Sequence, residues 1–209
     1  MTRAKQYKEE NMETDTIFRI ILPLVILFFV AHRGYYVKNH SKPEEQTLKK
    51  REDGSASKIA GLLGLLGFIT IVAYVAKPTW LGWAALPFPN WLRWFGVAIA
   101  LFGFGLLQWS QSTLGKNWSD TPRMMKTQTL ITSGPYHYIR HPIYTAFILI
   151  LGSTLFISAN WLIGLAWIGM TLFEVVSRIF FEESLMIEYF GDEYHEYMKK
   201  TGQLLPKIY

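Results

Sequence analysis

The stretch Gly134–Ala159, "GPYHYIRHPIYTAFILILGSTLFISA", sets an Arg-His-Pro triplet among three tyrosines, Tyr136, Tyr138 and Tyr144, at the threshold of a long apolar run. A soluble domain seldom follows so polar a cluster with so apolar a helix, and a plain membrane anchor has no use for the cluster. Pro142 lacks an N–H, so the first turn of a helix is its natural place. Arg140 and His141 then stand just outside that helix, beside the exposed N–H groups and positive dipole end of its first turn, where an anion is held well. The same residues also suit a plain helix start, with Arg140 snorkelling to lipid phosphate and the tyrosines anchored at the interface. "RHP" taken alone favours the plainer use.

The surrounding chain decides the class. Of its 209 residues, 50% are hydrophobic, 16% aromatic and only 18% charged, against about 25% charged in soluble domains. The lack of cysteine excludes disulfides, thiolate metal sites and cysteine nucleophiles. The net charge of +5 is spread between apolar runs rather than gathered in one patch. That is the pattern of membrane topology, and no nucleic-acid partner is expected. The first apolar run follows a polar stretch with no small-residue cleavage site behind it, so it reads as a span and not a signal peptide.

Five runs are apolar enough for the roughly 20 helical residues that cross a bilayer: about Thr16–Val37, Ile59–Ala76, Trp91–Trp109, Pro142–Ala159 and Trp161–Phe181. The expected fold is all-α, a polytopic membrane protein with about five transmembrane helices. Residues 1–209 form a single integral-membrane domain, with 1–110 supplying the N-terminal spans and 111–209 the functional half. Only Asn160 separates the last two runs, which predicts a tight helix 4–5 hairpin. Gly61, Gly64 and Gly67 make a small-residue stripe, and Gly103 and Gly105 a packing notch. Trp80, Trp83, Trp91, Trp109 and Trp161 fall near span ends, as an aromatic belt does. Beyond the fifth run, Leu185, Met186, Tyr189 and Phe190 oppose Glu188, Asp192 and Glu193 in a C-terminal amphipathic helix, which Gly191 is placed to break.

Basic residues cluster in alternate loops: Lys38, Lys42, Lys49, Lys50, Arg51 and Lys58 in the first, Lys116, Arg123, Lys126 and Arg140 in the third, and Lys199, Lys200 and Lys207 in the tail. The positive-inside rule then predicts an outside N-terminus and a cytoplasmic C-terminus, with the triplet and the acidic tail on one face.

Glu174, Arg178 and Glu182 are spaced at four and share one face of the fifth span, with Glu183 adjacent. Charges at such depth are costly unless they face a cavity or a partner. A structural Glu174–Arg178 pair and a functional site explain them about equally. Their place on the same membrane face as the triplet favours one shared site. His32, His40, His137 and His195 have no metal-ligand spacing, and no metal is expected.

"GPYHYIRHPIY", a tight hairpin, "R-x3-EE" at Arg178–Glu183 and "FGDEYHEYMKKTGQLLP" together resemble the isoprenylcysteine carboxyl methyltransferase family, and more loosely the phospholipid methyltransferases. "LGKNWS" (Leu114–Ser119) and "TLITSGPY" resemble that family's linker. Ala146, where the family commonly has glycine, and Glu174 depart from its pattern. The resemblance implies an integral-membrane enzyme that uses S-adenosylmethionine and methylates a lipophilic acceptor arriving from the bilayer. It also implies that Gln128, Thr129, Leu130, Ile131, Tyr136, His141, Pro142, Ile143, Tyr144 and Glu182 surround the cofactor, with Arg140 and Glu183 beside them. Arg178 takes the place of a substrate-side arginine. A carboxylate acceptor is already ionised and needs only orienting, which suits Arg178; an amine acceptor needs a base, for which Glu174 is the candidate. A phospholipid amine or a small thiol remains an open acceptor. NADPH-dependent sterol reductases share the C-terminal likeness, and a membrane scaffold without turnover would keep the same fold.

Overall fold

A computed structural model of the chain describes residues 3–40, 47–50, 55–119, 123–125 and 128–207. Helices form where the apolar runs predicted them. They are α1 (Arg3–His40), α2 (Ser55–Ala76), α3 (Asn90–Leu114), α4 (Pro142–Ser158), α5 (Trp161–Phe190) and α6 (Asp192–Lys200). Among the described residues, three helices are long and apolar enough to cross a bilayer: Thr14–His40, Asn90–Asn117 and Trp161–Phe190. Gly61–Ala76 runs into the 3-10 turn Pro78–Ala84 through a 117° bend, and makes a fourth if the pair is one span. α4 is apolar, but its 17 residues fall short of the roughly 20 needed. All five expected segments are therefore helical, while three or four of them have span length.

The α4–α5 hairpin turns on two residues. Ala159 adopts the left-handed conformation at φ 47°. Asn160 then caps α5, its Oδ1 accepting from the Leu162 and Ile163 amides at 3.1 and 3.3 Å. Its Nδ2 donates to the Leu81 carbonyl at 2.9 Å, tying the hairpin to the turn after α2.

Small residues let the helices approach. A Cβ at Gly103 would stand 2.7 Å from Ile150 Cγ1, and one at Gly96 2.6 Å from Phe156 Cβ, so α3 lies directly on α4. Gly67 meets the Trp167 ring and Gly64 the Met170 sulfur, which seats α2 on α5. Gly61 and Gly105 face open space, so each expected glycine motif is used only in part.

At the hairpin end, buried Arg93 of α3 gathers four helices. It donates to the Ile157 carbonyl at 3.1 Å and the Tyr74 hydroxyl at 3.2 Å, pairs with Asp15, and lies 4.0 Å from the Phe18 ring centroid. At the other end, two short strands, β1 (Thr47–Lys50) and β2 (Arg123–Met125), pair antiparallel with Lys50 opposite Arg123. This ribbon was not expected. It joins the α1–α2 and α3–α4 loops, so both basic loops lie at one end; Lys42, Arg51 and Lys126 of those loops lie outside the described residues. α5 ends at Gly191, whose φ of 53° suits glycine, and α6 buries Tyr194 and Tyr197.

Gly103→Val should overpack the α3–α4 contact and cost about 1–3 kcal/mol, whereas Gly105→Ala should be tolerated. Thermal unfolding in detergent checks this, and equal melting temperatures for the two variants would refute the close approach.

Candidate functional site

The site forms where the start of α4 meets the end of α5. His141 is the residue before α4 and is almost fully buried. Its ring lies between two neighbouring carboxylates, Nδ1 3.5 Å from Glu182 Oε2 and Nε2 3.2 Å from Glu183 Oε1. The Tyr144 hydroxyl donates to Glu182 Oε1. Arg140 Nε donates to Glu183 Oε1 at 2.8 Å, and Gln203 Nε2 donates to Glu183 Oε2 at 3.2 Å.

The segment after α6 closes against this cluster. The Arg140 and His141 amides donate to the Gly202 and Gln203 carbonyls at 2.9 and 3.1 Å, and Thr145 Oγ1 donates to the Leu204 carbonyl at 2.6 Å. Arg140 also donates to the Thr201 carbonyl at 2.7 Å. Arg140, expected beside an anion position at the start of α4, thus pairs with the chain's own Glu183 and spends its donors within the protein. A buried guanidinium so placed is satisfied on several sides, as its desolvation requires.

A cavity opens beside Glu182. Its wall includes Gln128, Thr129, Leu130 and Ile131 from the linker, Tyr136 from the 3-10 turn Gly134–His137, and Arg140, His141, Ile143 and Tyr144 around the start of α4. Arg178 and Glu182 line it from α5. Pro142, Glu174 and Glu183 stand outside the wall. Pro142 opens α4, Glu183 holds Arg140 and His141 from behind, and Glu174 accepts from Arg178 Nε at 2.7 Å. Glu174, expected as a base for an amine acceptor, is thus turned to its own helix because a deep guanidinium claims it.

Two polar atoms of the wall, Tyr136 Oη and Gln128 Oε1, are buried and meet no hydrogen-bond partner. Buried polar atoms seldom go unsatisfied, so the pair marks a place where a polar ligand bonds. Burial and the nearby Glu182 charge hold the Tyr136 hydroxyl pKa well above its usual 10.0, so it stays a neutral donor. Burial works against a charged His141, yet hydrogen bonds to Glu182 and Glu183 outweigh it and raise the imidazole pKa above 6.5.

Several wall residues were not singled out in the sequence. Asn117 Nδ2 donates to Thr129 Oγ1 at 2.9 Å, and its Oδ1 accepts from the Thr129 amide at 3.2 Å, so it clamps the linker. Tyr194 and Tyr197 reach the wall from α6, and the Tyr197 hydroxyl donates to the Tyr136 carbonyl at 2.6 Å. Arg33 reaches it from α1. Its position inside an apolar run was the available signal, since cations there face cavities.

Comparison with known proteins agrees with this architecture. Residues 89–188 match the family described as the isoprenylcysteine carboxyl methyltransferase family. The chain is 30% identical over 138 residues to a protein-S-isoprenylcysteine O-methyltransferase of Dictyostelium discoideum, covering 62% of this chain and 56% of the relative. It is 34% identical over 109 residues to methanethiol S-methyltransferase 1 of Bradyrhizobium diazoefficiens, covering 49% and 33%. The chain thus spans about half the length, or less, of the curated relatives it matches. The fold resembles the solved structure of the eukaryotic intramembrane Ras methyltransferase, with a TM-score of 0.55 and 24% identity over 76% of this chain and 55% of that one.

The His141 shift has a measurable consequence. A histidine whose folded pKa is raised contributes stability that is complete below its unfolded value and is lost as pH rises through the folded value. Thermal stability should therefore fall as pH rises above about 6.5, the usual imidazole value, and His141→Gln should flatten that fall. An undiminished decline in the variant would assign the effect to another group.

Proposed function

We propose that the chain, whose residues 89–188 match the isoprenylcysteine carboxyl methyltransferase family, is an integral-membrane methyltransferase that uses S-adenosylmethionine and methylates a lipophilic acceptor at its carboxylate. The observation that carries this reading is the buried, unpartnered pair Tyr136 Oη and Gln128 Oε1 on a wall shared with Glu182. S-adenosylmethionine brings an amine, a carboxylate, ribose hydroxyls and a sulfonium that supplies the methyl group. Glu182 is the acceptor for the amine. Tyr136 and Gln128 take polar groups along the linker, with Thr129, Leu130 and Ile131 beside them. The rings of Tyr136 and Tyr144 offer π faces to a cation. Tyr144 and His141 fix the orientation of Glu182 through its two oxygens.

Methyl transfer is an in-line displacement, so alignment and exclusion of water supply most of the acceleration. Tyr194 and Tyr197 of α6 line the cavity, and the segment Thr201–Leu204 backs its wall through hydrogen bonds to Arg140, His141 and Thr145. Arg178, held by Glu174, orients the acceptor carboxylate, which is ionised at neutral pH and needs no base. An amine acceptor is disfavoured because Glu174 lies outside the cavity wall. By the positive-inside rule the basic loops support a cytoplasmic site, with the acceptor arriving from the bilayer.

His141→Ala and Glu182→Gln should each weaken equilibrium binding of labelled S-adenosylmethionine by roughly tenfold to a hundredfold, as loss of a buried charged hydrogen bond does. NADPH should not compete. Unchanged affinity in both variants would remove the cofactor from this cavity. Arg178→Lys keeps the charge but loses the two-pronged geometry, so turnover should fall sharply while cofactor affinity holds; a wild-type rate would reduce Arg178 to a structural charge. A green fluorescent protein fused after Tyr209 should be bright in cells, and a dark fusion would reverse the orientation.

A further inference from the structure

We propose that Arg33 of α1 is a specificity-determining residue for the acceptor, a second guanidinium that joins Arg178 in reading the acceptor's acid group. This rests on the carboxylate-acceptor reading above. Arg33 lines the cavity together with Tyr144, Phe147, Arg178 and Glu182. Its guanidinium carbon stands over the Phe147 ring, 5.6 Å from the centroid. Phe147 is itself held edge-on by Phe29 of α1, with centroids 5.2 Å apart, and packs 6.2 Å from the Tyr144 ring.

The two arginines share a level in the bundle. Tyr144 of α4 touches Glu182 of α5. From that contact, Phe147 lies three residues further along α4, about 4.5 Å at 1.5 Å per residue. Arg178 lies four residues back along α5, about 6 Å. α4 and α5 run antiparallel, so both steps point the same way, away from His141 and towards the hairpin. Arg33, over Phe147, thus lines the cavity at about the depth of Arg178, from a different helix.

A deep cation is tolerated where it faces a cavity and an anion. The cavity wall presents three arginines, Arg33, Arg140 and Arg178: Arg140 pairs with Glu183, Arg178 is held by Glu174, and Glu182 lies at the level of His141. The deeper part of the wall therefore combines two guanidiniums with aromatic rings, a setting for a carboxylate attached to an apolar chain. A planar guanidinium matches a carboxylate with two donors, which an ammonium does not. α1 stands outside residues 89–188, so acceptor choice is set partly by a helix that the family match leaves out.

The test measures binding to the purified full chain of two probes, N-acetyl-S-farnesylcysteine and its carboxamide, alongside S-adenosylmethionine. The wild type should prefer the acid over the amide by about tenfold or more. Arg33→Gln should bring that ratio close to one, and Arg33→Lys should give an intermediate ratio. Cofactor affinity should stay within about twofold in both, because the donor groups are elsewhere. The assignment is overturned by a wild type without acid preference, or by both variants keeping the wild-type ratio. It is equally overturned if Arg33→Gln loses cofactor affinity with the ratio intact, which would place Arg33 at the donor. Should Arg33→Gln fail to fold, the ratio in Arg33→Lys decides alone. Acid preference with no S-adenosylmethionine binding in the wild type would sink the methyltransferase reading and leave Arg33 as the cavity's acid-reading group.

Discussion

The structure depends on one shared ring. Glu182 and Glu183 are consecutive on α5, so their side chains leave the helix about 100° apart, and both are drawn into protein. Two adjacent carboxylates repel each other unless something positive stands between them. His141 does so with one nitrogen for each. Removing a partner from such a buried cluster leaves an uncompensated charge, which costs far more than the cluster gains over apolar residues. The pairing therefore fixes the start of α4 against the end of α5 and sets where the cavity lies.

From that ring the two acids part company. Glu183 belongs to the scaffold, since Arg140 and Gln203 take its remaining capacity. Arg140 in turn reaches the Thr201 carbonyl and draws the segment after α6 across the start of α4. Glu182 belongs to the cavity, and Tyr144 and His141 set its orientation without covering it. Rigid support behind a group that must meet a ligand is what lets it bind without reorganising.

Charge placement follows the same logic at both ends of the bundle. Arg93, deep among α1, α2, α3 and α4, is satisfied by Asp15, a carbonyl, a hydroxyl and an aromatic face. It is not among the residues that line the cavity, and it holds the hairpin end together. Arg178 and Arg33 also sit in apolar helices but are only partly buried and line the cavity. The same residue type thus serves packing at one end and lines the cavity at the other, and the difference lies in what surrounds it.

Helix positions, the α4–α5 hairpin and the pairing of "RHP" with the glutamate pair were legible in the sequence. Apolar period, Pro142, Asn160 and Gly191 act locally, and the bilayer leaves helices as the simplest way to satisfy a spanning backbone. Most of the cavity wall was legible too, through motifs whose residues lie close in the chain. What tertiary structure decided were the distances between distant segments. It turned Arg140 inward to Glu183, drew Glu174 to Arg178, paired β1 with β2, and brought Arg33, Asn117, Tyr194 and Tyr197 to the wall. Hydrophobic periodicity reports which face of a helix is apolar but not which helix lies against it. A charge on an apolar helix announces that a partner exists, and only packing selects whether that partner is a carboxylate of the chain or a cavity.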